Sequence, residues 1–214
     1  MADLNSAPAN APRGQLWLET SAVLVVSVGY VIFHRQLAFN GWFIGPLLVV
    51  IIGYLGYEFA FGKRRPRDFG LRLDNLLQSA KLCAFVFGPF IVSAFIYAAI
   101  QGVVHPLHFV YALLLYPVWG LIQQFAYSGI LLGNLQRLGL GWWSIPITAT
   151  AFSLVHYPSS LLMQVTAIGG LMISAVYYRI PNIWTLAVVH GVFGAFLYYV
   201  FRDKDPIGHL LDSL

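Results

Sequence analysis

Two adjacent amides, Gln123 and Gln124, stand inside the apolar stretch LIQQFAYSG, with Ser128 one helical turn beyond the second. Polar side chains at membrane depth are costly and mark functional sites. Each glutamine offers two N–H donors and an acceptor oxygen, but near neutral pH an amide takes up no proton and cannot serve as a general base. Helical spacing places Gln124 and Ser128 on one face, and Gln123 with Tyr127. Two further stretches pair an imidazole with a neighbour one turn away: FSLVH, Phe152 to His156, and HGVFG, His190 to Gly194. An intramembrane imidazole can move protons, hold a ligand or join helices by hydrogen bonding. Zinc needs at least three protein ligands, and no third accompanies His156 and His190, so no metal is expected. A neutral imidazole can also ligate a chlorin magnesium or a haem iron, although nothing in the spacing selects that chemistry. His34, His105, His108 and His209 fall in expected loops or the tail and are read as surface residues.

The elements that must position these groups are helices in a bilayer. Of 214 residues, 59% are hydrophobic and 9% charged, against roughly 25% charged in soluble domains. The fold class is all-α, a polytopic transmembrane bundle of about seven spans. Gly 20, Pro 11 and 16% aromatics suit it better than a barrel of alternating strands. Apolar segments run over 16–33, 42–61, 81–100, 109–132, 142–157, 161–178 and 183–201. Pro146 and Pro158 interrupt or bound the fifth and sixth. A single transmembrane domain over 16–201 is expected, between a polar tail at 1–15 and a second tail at 202–214. The first tail lacks the basic region and cleavage pattern of a signal peptide, so the first segment should be retained. Cys83 stands alone, which excludes an internal disulfide framework. A net charge of +4, small and scattered, gives no sign of a nucleic-acid partner.

One dense charge run, KRRPRDFGLRLDNLLQSAK, spans 63–81. Lys63, Arg64, Arg65, Arg67, Arg72 and Lys81 outnumber Asp68 and Asp74, which places this loop, and with it the N-terminus, in the cytoplasm. Seven spans would then put the C-terminus outside. Phe69, Leu71, Leu73, Leu76 and Leu77 suggest a short interfacial helix on the headgroups. The run reads first as a topology anchor and second as a surface for anionic lipid.

In order and spacing the three polar stretches resemble the CPBP family of intramembrane proteases, the CAAX prenyl protease and bacteriocin-processing (Abi) enzymes. That family carries Glu-Glu-x-x-x-Arg, then Phe-x-x-x-His, then His-x-x-x-Asn. The surrounding phrases RPRDFGLRL, GILLGNLQRLGLGWW and RIPNIWTLAVVH are also similar, so the resemblance extends over about 60–200. It implies a first glutamate that activates water, histidines and an asparagine that hold the scissile carbonyl, and an arginine paired with glutamate. Here those places hold Gln123, Gln124, Ser128 and Gly194, while His156 and His190 remain. Losing a general base costs roughly 10²–10⁴ in rate, and losing an oxyanion donor roughly 10²–10³. Both carboxylates and the cation are absent together, so no buried arginine is left unpaired.

The leading expectation is therefore a pseudoprotease without cofactor, in the bacterial cytoplasmic membrane, serving as an interaction or assembly subunit. Its partners would be other integral membrane proteins and membrane lipids. One alternative is a working intramembrane peptidase acting on lipidated or membrane substrates, which needs a base from elsewhere. Glu19 and Glu58, the chain's only glutamates, match no family position. A second alternative is a pigment- or lipid-binding membrane protein.

Overall fold

The structure, a computed structural model, describes residues 11–33, 41–62, 64–102, 106–201, 205 and 208, with backbone alone at 41–45, 47–48 and 201. His34, His105, His209, Lys63 and most of both tails lie outside the described residues. Every regular element among the described residues is helical, as the composition requires. Contacts divide the chain into two compact units: residues 1–71 with 126–181, and 72–125 with 182–214.

The first unit holds α1 (Arg13–Phe33), α2 (Gly41–Phe61), α5 (Gly133–Arg137), α6 (Ser144–Leu154) and α7 (Ser160–Arg179). The second holds α3 (Leu76–Gln101), α4 (Pro106–Gln124) and α8 (Ile183–Phe196). Five helical runs are long and apolar enough to cross a membrane: 13–33, 76–101, 106–137, 160–179 and 183–200. α6 is shorter than the segment expected over 142–157. Its eleven residues reach about 17 Å at 1.5 Å per residue, roughly half the ~30 Å of a hydrocarbon core. It ends in a turn containing the cis Tyr157–Pro158 bond. The Ser159 hydroxyl then caps α7 by accepting from the Leu162 N–H at 3.4 Å.

The region of the expected interfacial helix has a different form. Pro66–Phe69 makes a single 3₁₀ turn, and α3 begins only at Leu76. Proline favours a first helical turn, while Gly70 at φ 82 stops the turn from continuing. Phe69, counted above among the headgroup-facing residues, is fully buried.

In the first unit α1 packs on α5 and α6, and α6 on α7. The core is Tyr127, Leu131, Leu135, Ala151 and Phe152. Tyr127 meets Phe152 edge-on at 5.2 Å between ring centroids. In the second unit α8 packs on α4 and α3, around Ala94, Ala98, Phe109, Ala112, Ala195, Phe196 and Tyr199. Small residues set the approach of α4 and α8, as is usual where bilayer helices pack by shape. A Cβ at Gly191 would stand 2.4 Å from the Pro117 nitrogen, and one at Gly120 2.7 Å from the Ala187 carbonyl oxygen. Asn182 caps α8, its side-chain oxygen accepting from the Thr185 N–H at 3.2 Å. Its amide nitrogen donates to the Arg72 carbonyl at 2.7 Å and to Asn75 Oδ1 at 2.8 Å.

Candidate functional site

α4 does not continue as an α-helix beyond Gln124. Phe125–Leu132 is π-helical and α5 resumes at Gly133. Turns closed by i→i+5 bonds are rare and collect at functional sites; this one begins directly after the two amides. The α-helical spacing that would set Gln124 and Ser128 on one face stops at residue 124.

In the second unit the glycine contacts of α4 with α8 bring Gln124 against His190. Gln124 is buried, and its Nε2 donates to Nδ1 of His190 at 2.9 Å. An imidazole nitrogen that accepts carries no proton, so the ring's proton sits on Nε2. Gln123 precedes this pair on α4 and is half-buried. Gly194 lies one turn beyond His190 on α8. A Cβ built there would stand 2.8 Å from Cδ1 of Tyr116 on α4. The tyrosine ring therefore fills the space that a larger residue at 194 would need.

In the first unit Ser128 is buried within the π-helical stretch. His156 follows α6, where its Nδ1–H donates to the Phe152 carbonyl at 2.8 Å. The Phe152 ring stands edge-on to the imidazole at 5.0 Å. A carbonyl only accepts, so the His156 proton is on Nδ1 and its Nε2 is an acceptor. The two retained histidines are thus held in opposite tautomers. No group of three metal-ligating side chains occurs among the described residues.

Sequence reasoning missed a buried ionic network in the first unit. Arg64, 4% exposed, turns inward from the basic run. Its Nε donates to Glu58 Oε1 at 3.2 Å and its Nη2 pairs with Glu19. Tyr54 OH also donates to Glu19, and Asn134 Nδ2 donates to Glu19 Oε2 at 2.7 Å. Gln15 Nε2 reaches Glu19 and Glu58, each at 3.2 Å. Burial pulls the Arg64 pKa down, but Glu19 and Glu58 outweigh it and hold the guanidinium above its ordinary value. The guanidinium also lies 4.3 Å over the Phe69 ring. A signal was present, because a carboxylate inside an apolar segment needs a cation. Arg64 stands six residues from Glu58.

Residues 105–196 match the family described as type II CAAX prenyl endopeptidase Rce1-like. The match includes all six motif positions from Gln123 to Gly194. No curated protein and no solved structure matches the chain.

Proposed function

We propose that this CAAX-protease-like integral membrane protein is a non-catalytic member of that group, an interaction or assembly subunit of a larger membrane complex. The observation that supports this reading is the Gln124–His190 hydrogen bond. Where the resemblance implies a glutamate, a neutral amide donates to the imidazole. A carboxylate there would accept the Nδ1 proton and favour imidazolium formation during proton transfer; the amide does neither. Gln123, at the place of the water-activating glutamate, likewise has no basic group. The Tyr116 ring beside Gly194 crowds the space that the asparagine of the family pattern would need. A peptidase of altered mechanism would need another base. Glu19 and Glu58 are both tied to Arg64.

The test has two arms on protein purified in mild detergent. A prenylated CAAX peptide should remain uncut, and mass spectrometry of the native preparation should reveal co-purifying membrane proteins in fixed stoichiometry. Cleavage abolished by His156→Ala or His190→Ala would overturn the first part. A chain that emerges alone and monomeric would overturn the second.

A further inference from the structure

We propose that the Arg65–Pro66–Arg67 turn is a binding site for the phosphate headgroups of anionic phospholipids. The structure sorts the cations of the basic run into two kinds. Arg64 is withdrawn into the first unit and neutralised by Glu19 and Glu58. Arg65 and Arg67 stay exposed. The neighbouring carboxylates are already engaged. Glu19 and Glu58 serve Arg64, and Asp68 Oδ2 accepts the backbone N–H of Arg65 at 2.7 Å. No carboxylate among the described residues pairs with either exposed guanidinium.

The backbone that presents the two arginines is held from several sides. Arg137 on α5 donates to the Asp68 carbonyl. Phe69 is fully buried between the Arg64 guanidinium and Phe59, whose ring stands edge-on at 5.8 Å. The Gly70 N–H donates to the Arg67 carbonyl at 3.1 Å, and the Leu71 N–H to the Pro66 carbonyl at 3.1 Å. A cation on a fixed backbone loses less freedom when it engages a ligand than one on a free chain. Just before the turn, α2 ends in an exposed aromatic pair, Tyr57 and Phe61, with ring centroids 5.7 Å apart. Aromatic side chains at a helix end lie at headgroup depth. Guanidinium groups pair with phosphate through a two-pronged fork. Two of them, a few residues past an exposed aromatic helix end, match a lipid phosphate better than a dissolved one, because the lipid also supplies acyl chains for the aromatic rings.

The experiment uses the full chain, delipidated in mild detergent and followed by native mass spectrometry. It is titrated with dioleoyl phosphatidylglycerol or with dioleoyl phosphatidylcholine. The wild type should retain the anionic lipid in preference. The R65Q/R67Q double variant should lose about 30-fold of that affinity, the effect of two cations at a membrane surface, with an unchanged melting temperature. Equal retention of both lipids, or an undiminished preference in the double variant, would overturn the proposal. Displacement of the anionic lipid by inorganic phosphate would also overturn it, by assigning the site to a soluble anion. Displacement by a poly-glutamate peptide would assign it to an acidic protein segment instead.

Discussion

Gln124 donates through Nε2 to Nδ1 of His190 across 2.9 Å. The amide thus decides which imidazole nitrogen carries the proton. Gln124→Glu replaces the donor with an acceptor, so the proton of His190 should move from Nε2 to Nδ1. Ring ¹⁵N chemical shifts of selectively labelled protein report the tautomer directly, and an unchanged ring signal would show that the amide does not set it. Gln124 is buried, so the new carboxylate is taken out of water. The variant should therefore also melt at a lower temperature than wild type.

Gln123→Glu restores a basic group at the place of the water-activating glutamate. Cleavage of a prenylated peptide should nevertheless stay at background, because Ser128 and Gly194 also depart from the family pattern. Turnover by this single variant would mean that a base at residue 123 is all that hydrolysis by this chain requires.

Gly194→Asn drives a side chain into the Tyr116 ring, whose Cδ1 is 2.8 Å from an ideal Cβ. Overpacking of this kind costs about 1–3 kcal/mol. Adding Tyr116→Ala should recover part of the loss, giving a favourable coupling in a double-mutant cycle followed by unfolding in mixed micelles. Additive effects would mean that the two positions do not compete for the same space.

Glu19→Ala removes the carboxylate that accepts from Arg64, Tyr54 and Asn134. Breaking a buried ion pair from one side costs about 3–5 kcal/mol. Glu19→Leu combined with Arg64→Met should be milder than either change alone if Glu58 is neutralised in the same protein by Glu58→Gln. Greater damage from the combined variant would show that the network does more than compensate charge.

At the end of the second unit, Asp205 accepts from Tyr199 OH at 2.9 Å and pairs with His108 Nδ1 at 2.6 Å. Burial pushes this carboxyl up, but the Gly208 N–H, His108 and Tyr199 outweigh it and hold the pKa down at about 2. A depressed carboxyl stabilises the fold above its ordinary pKa of 3.8 and loses that effect as pH falls through 2. Limited proteolysis of the C-terminal tail should therefore be unchanged from neutral pH down to about 4, where the carboxyl is still ionised. Asp205→Asn should give faster tail cleavage throughout that range.

Hydropathy made the fold class and most helix positions legible. Segments expected over 161–178 and 183–201 correspond to α7 and to α8 with its π-helical extension Leu197–Phe201. Ser159 and Asn182 supply ordinary capping chemistry at their starts. The π-helical stretch 125–132 left no trace, because a change of backbone register alters neither composition nor apolar length. α6 was overdrawn because the apolar run continues through the turn around Pro158. The motif spacing pointed to the family whose model matches residues 105–196, but the pairing of Gln124 with His190 was not legible in it. The role of Arg64 was not legible. Its partner Glu19 is 45 residues away, and charge counting treats every cation in a loop alike, whether it faces water or the protein.

The Tyr116–Gly194 contact also limits which sequences this helix pair accepts. With an aromatic ring in the space beside residue 194, asparagine is disfavoured there whatever stands at residues 123, 124 and 128. A larger residue at 194 is harmful until Tyr116 changes too, so whatever stands at one position limits what the other accepts.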